Sequence, residues 1–118
     1  MRNPITLMLL GWCLIAAIFI YESAHAQSAT YYADKFHGRK TASGERFSQY
    51  KLTCASNRYA FGTYLKVTNT KTKASVICRV NDTGRLGHGV VVDLSKAAFK
   101  QIAPLSYGKV PVQLEIVK

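Results

Sequence analysis

The sequence predicts an all-β fold, a small closed barrel with one short helix. Short segments rich in β-branched and aromatic residues alternate with turns that contain glycine, serine or asparagine. Only one segment, near the C-terminal end, has the apolar spacing of a helix. The chain has 118 residues, enough for one domain. Many short strands and a single helix within one small domain are typical of a closed barrel.

The first half of the predicted barrel consists of one strand and a long loop. Residues 30–33 are mostly aromatic or β-branched, which predicts a first strand. Residues 36–47 are too rich in glycine, serine and charge for a regular element, so we expect an ordered loop there. Alternating or continuous apolar residues predict the other strands. These strands cover residues 64–68, 75–80, 90–92 and 109–117.

One helix is predicted after the strand at residues 90–92. Leu94, Ala97, Ala98 and Ile102 recur at helical spacing, and Pro104 ends the pattern. We therefore expect a short helix over about residues 94–103.

Residues 1–26 have the pattern of a signal peptide, which leaves residues 27–118 as the mature domain. Residues 5–20 are largely apolar, and Ala24-His25-Ala26 has the small-x-small form of a cleavage site. An uncleaved N-terminal anchor is the alternative, although the apolar run is shorter than the ~20 residues that span a bilayer comfortably. The bulky Trp12 before the cysteine of this segment argues against a lipid anchor. We expect export to the periplasm or the extracellular space.

Removal of the signal peptide leaves two cysteines, Cys54 and Cys78. An even pair in an exported chain predicts a disulfide, and two buried free thiols are the alternative. Closing a loop of roughly 25 residues would stabilise the fold by about 3 kcal/mol in the chain-entropy model.

The formal charge is +10, and it stays at +10 after cleavage because Arg2 and Glu22 are lost together. Export argues against nucleic acid as the partner, and the basic residues are scattered rather than gathered in a stripe. A bacterial cell wall is anionic and would hold a cationic exported domain nearby. A charge that serves only solubility is the alternative.

Three carboxylates, Glu45, Asp82 and Asp93, are flanked by glycine or small polar residues in a chain with only six acidic residues. Carboxylates at turns suggest glycoside chemistry. Each also has a structural alternative: a solvated loop residue for Glu45, an Asx-turn for Asp82, and a helix N-cap for Asp93. Ser95 could share the capping role and leave Asp93 partly free.

Four motifs follow one another at consistent spacing from about Thr30 to Lys118. They are FHGRKTASGERF at 36–47, FGTYLKVTN at 61–69, VICRVNDTG at 76–84 and VVDLSKAAF at 91–99. In this order they resemble the rare lipoprotein A (RlpA) family. The resemblance implies a six-stranded double-psi β-barrel and endolytic cleavage of peptidoglycan, without a cofactor or a metal ion. The same barrel is similar to expansins and to membrane-bound lytic transglycosylases.

The resemblance implies that Asp93, Asp82 and Glu45 are the catalytic residues. Asp82 and Asp93 are eleven residues apart, like the two aspartates of lytic transglycosylase and expansin barrels, where the second is essential. Thr30 matches a threonine that lines the groove of expansin-like barrels, and we expect Tyr31 and Tyr32 to bind substrate beside it. His37 and His88, in neighbouring loops, are further candidates for substrate binding.

The chain also departs from the family at three places. The family has a functional histidine eleven residues after its glutamate, where this chain has Ser56, and an aspartate where it has Ser48. The loop at 83–88 also differs from the common family sequence. Two functions therefore remain open: a peptidoglycan lytic transglycosylase, or a non-catalytic expansin-like module that binds a wall polysaccharide. In both cases the expected partner is peptidoglycan or another cell-wall glycan, and the protein is expected to be a monomer.

Overall fold

The computed structural model describes residues 27–118. The predicted signal peptide, residues 1–26, lies outside this described part, and so does the alternative of an uncleaved anchor. Within residues 27–118, no helix is both long enough and apolar enough to cross a membrane.

The described domain contains six strands and one α-helix, as the family resemblance implies. The strands are β1 (Ser28–Tyr31), β2 (Thr53–Ala55), β3 (Tyr64–Asn69), β4 (Ser75–Asp82), β5 (Val90–Leu94) and β6 (Val110–Ile116). Helix α1 (Lys96–Lys100) lies between β5 and β6. Two short 3-10 helices cover Asp34–Phe36 and Leu105–Tyr107.

The six strands close into a barrel in the order β1-β5-β2-β4-β3-β6, and β6 returns to β1. The pairs β1/β5 and β2/β4 are parallel, whereas the other pairs are antiparallel. Closure removes the unpaired edges that an open sheet of this size would expose. It also brings β1 beside β5, although more than half of the described chain separates them.

The barrel interior is filled by aliphatic side chains from all six strands and by Phe99 from α1. Phe99 is fully buried, and the ring of Tyr31 packs edge-on against it with a centroid distance of 4.8 Å. Burying such side chains stabilises the fold by about 1.5–3 kcal/mol each. The fully buried strand residues include Ala29, Cys54, Leu65, Val67, Cys78, Val80, Val92, Leu94, Val112 and, nearly so, Val110.

The predicted disulfide between Cys54 and Cys78 is present and joins the parallel strands β2 and β4. Both cysteines are fully buried, and their Cα atoms are 5.8 Å apart, within the range that a disulfide spans without distortion. The alternative of two free thiols is therefore wrong.

Three element predictions are corrected by the structure. The first strand covers Ser28–Tyr31 rather than residues 30–33. Strand β2 has no predicted counterpart, because its three residues are all buried and do not alternate. Helix α1 covers five residues rather than 94–103, since the apolar Leu94 belongs to β5 and the helix begins only after Ser95.

Candidate active site

A cleft of about 350 Å³ opens where β2, β4 and β5 end and the chain leaves β1. Asp82 is the last residue of β4, and Asp93 is the last but one of β5. Strand pairing places Asp93 directly beside Thr30 of β1 and Ala55 of β2. The cleft is lined by Tyr32, Phe36, Ala55, Asp82, Thr83, Gly84, Arg85, Leu86 and Asp93.

Asp93 is a carboxyl of this cleft whose pKa the fold raises. Its Oδ1 accepts a hydrogen bond from the Thr30 hydroxyl at 2.9 Å. Burial raises the pKa of Asp93 from 3.8 to about 6, the Thr30 hydrogen bond opposes this shift, and the charge of Asp82 adds to it. A fraction of Asp93 therefore carries a proton at neutral pH, which suits a general acid.

Asp82 has a different environment, because three hydrogen-bond donors face its carboxylate. Oδ2 accepts from the Tyr32 hydroxyl at 2.7 Å, and Oδ1 accepts from the backbone N–H groups of Ala42 at 2.8 Å and Thr83 at 2.9 Å. The hydrogen bond from the Thr83 N–H is local, like that of the expected Asx-turn, but its donor lies one residue after Asp82 rather than two. The bonds from Tyr32 and Ala42 tie Asp82 to two other parts of the chain.

Tyr32 lines the cleft, and its own position is fixed by packing and hydrogen bonds. Its ring stacks on Phe47 with a centroid distance of 3.9 Å and an interplanar angle of 15°. Burial and the hydrogen bond to Asp82 raise the pKa of Tyr32 far above its ordinary value, so its hydroxyl stays protonated and donates. Buried Gln49 also donates from Nε2 to the Tyr32 carbonyl oxygen at 2.8 Å.

Of the three predicted substrate-binding residues near β1, the structure brings Thr30 and Tyr32 to the carboxyls and leaves Tyr31 out. Successive side chains of a strand point to opposite faces. Tyr31 therefore packs against Phe99, and its hydroxyl donates to the Leu105 carbonyl oxygen at 2.8 Å. These contacts give Tyr31 a structural role in the core.

The two predicted histidines do not line the aspartate cleft. His37 lies in a separate groove beside α1, where its Nδ1 accepts from the Gln49 backbone N–H at 3.1 Å and its ring meets Tyr50 edge-on. His88 is exposed in the loop between β4 and β5. Neither occupies the place of the missing family histidine.

Glu45 also lies outside the aspartate cleft. Its Oε1 accepts from Arg79 Nη1 and from Asn81 Nδ2, each at 3.0 Å. These two hydrogen bonds, first that from Asn81 and then that from Arg79, lower the pKa of Glu45. Glu45 lines a neighbouring groove of about 270 Å³ together with Arg46, Lys51 and other polar residues. The carboxyl is thus held by two partners, although its side chain stays 47% exposed in the loop.

The capping alternative for Asp93 is wrong, because Ser95 caps the helix. Ser95 Oγ accepts from the Ala98 backbone N–H at 3.1 Å, while Asp93 stays within β5. Ser95 is fully buried and also donates to the Lys51 carbonyl oxygen. The Asp93 carboxyl does not cap the helix and lines the cleft instead.

Ser56, at the place of the family histidine, is fully buried next to Asp82. Its backbone N–H donates to the Asp82 carbonyl oxygen at 3.0 Å, and its hydroxyl accepts from the Arg58 N–H at 3.2 Å. A histidine side chain is larger than serine, and Ser56 has no exposed surface. Ser48, at the place of the family aspartate, accepts from the Tyr50 N–H at 3.2 Å.

Six residues of the cleft wall were missed by sequence reasoning. Phe36 opens the first motif and Ala55 belongs to the unpredicted strand β2, so neither carried a chemical signal. The other four, residues 83–86, belong to the loop that departs from the family, and that departure was the available clue. Among residues 27–118, no group of three His, Cys, Asp or Glu side chains could hold a metal ion.

Comparison with known proteins identifies relatives over nearly the whole described domain. Residues 24–114 match the protein family described as Lytic transglycolase. The endolytic peptidoglycan transglycosylase RlpA of Campylobacter jejuni is 42% identical over 89 residues, which is 75% of this chain and 32% of that protein. The protein of the same name from Neisseria meningitidis is 38% identical over 96 residues, 81% of this chain and 40% of that protein. The chain thus spans well under half the length of these curated relatives.

Solved structures with the same fold include a mutant Clavibacter michiganensis expansin in complex with cellohexaose. It has a TM-score of 0.61 and 21% identity, and the match covers 78% of this chain and 49% of that one. The Streptomyces papain inhibitor has a TM-score of 0.62 and 23% identity, over 77% of this chain and 91% of that one. At these identities the likeness concerns the fold, and it confirms the double-psi β-barrel expected from the sequence.

Proposed function

Because this chain belongs to the RlpA-like family of double-psi β-barrels, we propose that it is an endolytic peptidoglycan transglycosylase. It cleaves the glycan strands between sugar units and leaves 1,6-anhydro-muramic acid ends. Relatives named for this activity support the proposal, although the chain spans only part of their length. The main observation behind the proposal is that two carboxyls with different environments, Asp93 and Asp82, lie in one open cleft.

Asp93 acts first as the acid and then as the base. Its neutral carboxyl donates a proton to the glycosidic oxygen as the bond from that oxygen to the muramic acid C1 breaks. The resulting carboxylate accepts the proton of the C6 hydroxyl of the same sugar, whose oxygen attacks C1 and closes the anhydro ring. The proton returns to Asp93, no water is consumed, and a single acid suffices.

Asp82 supplies negative charge beside the reacting carbon. A transition state of this kind has oxocarbenium character, and a fixed carboxylate nearby stabilises the positive charge. The donors from Tyr32, Ala42 and Thr83 hold the two oxygens of Asp82 in place before the substrate arrives. The same charge contributes to the raised pKa of Asp93, so the two residues perform different tasks because their surroundings differ.

The second candidate is an expansin-like module that binds a wall polysaccharide without cleaving it. Burial of Ser56 at the place of the family histidine favours this alternative. The cleft as described by residues 27–118 also has no histidine among its lining residues. In this case Thr30, Tyr32 and the two aspartates grip the glycan, and no bond changes.

Digestion of purified sacculi, followed by mass spectrometry of the soluble products, separates the two functions. The transglycosylase releases fragments that end in 1,6-anhydro-muramic acid, a hydrolase leaves reducing ends, and a binding module releases nothing yet pellets with the sacculi. Asp93→Asn should lower the rate of release by at least about 100-fold, because the amide cannot transfer the proton. Glu115→Gln, on β6, serves as the matched control and should retain full activity.

The pH dependence of the same digestion identifies the acid. Asp93 titrates with a pKa of about 6, so the rate should fall above that pH as the proton is lost. A rate that is flat from pH 5 to pH 8, or full activity in Asp93→Asn, contradicts the assignment of Asp93 as the acid. Binding without release by the wild type, lost in Asp93→Asn, would replace the transglycosylase by the binding module.

We also propose that the protein is exported and acts at the cell wall as a monomer. The disulfide between Cys54 and Cys78 supports an oxidising compartment, since such bonds do not persist in a reducing cytosol. In this proposal cleavage after Ala26 removes the signal peptide. Intact-mass measurement of the exported protein should give a chain that begins at Gln27, and retention of residues 1–26 would favour the anchor instead.

A further inference from the structure

The loop that carries Glu45 is closed on itself by backbone hydrogen bonds. The N–H and the hydroxyl of Thr41 both donate to the Glu45 carbonyl oxygen, at 2.7 and 2.8 Å, and the Gly44 N–H donates to the Thr41 carbonyl oxygen at 2.9 Å. Gly44 has a φ of +94°, which a residue with a Cβ rarely adopts. Residues 41–45 therefore form a compact turn closed by its own hydrogen bonds, hereafter the 41–45 turn.

The 41–45 turn contacts three residues near the end of β4: Arg79, Asn81 and Asp82. The Glu45 carboxylate accepts from the side chains of Arg79 and Asn81, both at 3.0 Å. The Ser43 N–H donates to the Asn81 carbonyl oxygen at 3.3 Å, and the Ala42 N–H donates to Asp82 Oδ1 at 2.8 Å. The turn thus binds β4 through a carboxylate at one end and reaches the cleft through a backbone donor at the other.

The Glu45 carboxyl itself is unsuited to proton donation. Hydrogen bonds from Asn81 and Arg79 lower its pKa, so it is ionised at neutral pH. One oxygen already accepts two donors, and the residue lines a different groove from Asp93. To act on a glycan bound beside Asp93, the Glu45 carboxylate would have to reach from its own groove into the cleft.

We infer that Glu45 is a positioning residue, whose contacts with Arg79 and Asn81 fix the 41–45 turn so that the Ala42 N–H holds the Asp82 carboxylate in the cleft. The effect of Glu45 on cleavage is therefore indirect and passes through one backbone hydrogen bond. This inference rests on the proposed transglycosylase function for its kinetic test, but the position of the Ala42 N–H can be measured without any activity.

The two substitutions Glu45→Ala and Glu45→Gln distinguish positioning from catalysis. A glutamine oxygen still accepts from Asn81 and Arg79, whereas alanine removes both contacts. Glu45→Ala should lower kcat about tenfold with KM little changed, and Glu45→Gln should stay within about threefold of the wild type, as loss and retention of charge-assisted hydrogen bonds imply. A carboxylate that takes part in the chemistry would make the two variants equally inactive. Glu115→Ala and Glu115→Gln are the matched controls on β6.

A double substitution tests the partner. If Glu45 acts through Arg79, then Glu45→Ala combined with Arg79→Ala should be no slower than Glu45→Ala alone, because the second change removes a contact that is already lost. The decline of the rate above pH 6 should be the same in all these variants, since Asp93 remains the acid. Additive losses, or a shifted pH profile in Arg79→Ala, would overturn the inference.

Amide hydrogen exchange followed by NMR reads the 41–45 turn directly. The Ala42 N–H should exchange at least about tenfold faster in Glu45→Ala than in the wild type, and close to the wild-type rate in Glu45→Gln. Unchanged exchange in Glu45→Ala would overturn the positioning role even if activity were lost. Absence of cleavage by the wild type would refute the proposed function, and the exchange rates would still decide the role of Glu45.

Discussion

At the scale of single residues, the buried Asp93 carboxyl makes the folded state prefer the protonated form. Its pKa rises from 3.8 to about 6 on folding, so between these values the native state binds more protons than the unfolded state. The free energy of unfolding then falls as the pH rises through this window. The full contribution is present below the unfolded pKa and is lost above the folded one. The burial that raises the pKa of Asp93 thus costs stability at neutral pH.

Asp93→Asn should therefore stabilise the fold at pH 7.5 and leave it nearly unchanged at pH 3.5. The shift in pKa corresponds to a gain on the order of 2–3 kcal/mol at the higher pH. The asparagine oxygen still accepts from Thr30, so this contact is retained. Urea unfolding at the two pH values provides the measurement. Asp34→Asn is the control. The ion pair with Lys96 lowers the pKa of Asp34, so loss of this ion pair should not raise the free energy of unfolding. Equal stability of Asp93→Asn and the wild type at pH 7.5 would contradict a raised pKa.

At the scale of strands and loops, the sequence predicts those elements whose residues follow a regular local pattern of apolar and polar positions. The hairpin of β3 and β4 alternates along its length, and the structure confirms it. Strand β2 has no such pattern, because all three of its residues are buried: Cys54 packs in the barrel core, and Ala55 packs in a second cluster with Tyr32 and Phe47. The helix was predicted too long because Leu94 is buried through its strand and not through a helix face.

At the candidate site, too, the sequence identifies residues but not the contacts between distant segments. Asp82 and Asp93 stand out in the sequence as carboxylates beside small residues, and the family resemblance brings them together. Their different environments depend on contacts between segments far apart in the chain, such as Tyr32 with Asp82 and Ala42 with Asp82. The pairing of Glu45 with Arg79, 34 residues away, is equally invisible to local pattern. The sequence therefore identifies the carboxylates, whereas their contacts and environments become visible only in the folded barrel.

The disulfide between β2 and β4 allows a test at the element scale. It closes a loop with a sequence separation of 24 residues, and the double variant Cys54→Ala, Cys78→Ala should lose about 3 kcal/mol of unfolding free energy. Because Ala55 and Ser56 follow Cys54 directly and Ser56 donates to the Asp82 carbonyl oxygen, the loss should also loosen the cleft. Chemical denaturation with and without reductant measures the first effect, and glycan binding measures the second. An unchanged denaturation midpoint would show that barrel closure holds β2 without the disulfide.

At the scale of the whole molecule, a strongly basic chain carries a cleft that gathers two of its few carboxyls. The formal charge is +10, whereas the cleft is lined by Asp82, Asp93 and Arg85. Under the proposed function, an anionic wall polymer is attracted to the molecule as a whole, and the cleft would accommodate the uncharged part of a glycan strand. Long-range attraction raises the local concentration of substrate and does not contribute to the chemical step. The two contributions should respond differently to salt.

Raising the salt concentration should release the protein from sacculi without weakening its binding to a short uncharged oligosaccharide. The Debye length falls from about 10 Å at 0.1 M salt to about 3 Å at 1 M, which screens scattered surface charges but not contacts inside the cleft. Lys71→Gln combined with Lys73→Gln, in the turn between β3 and β4, should weaken pelleting with sacculi and reduce its salt dependence. The same variant should bind the oligosaccharide like the wild type, because neither lysine lines the cleft. Pelleting that is insensitive both to salt and to these substitutions would mean that the cleft alone holds the protein on the wall.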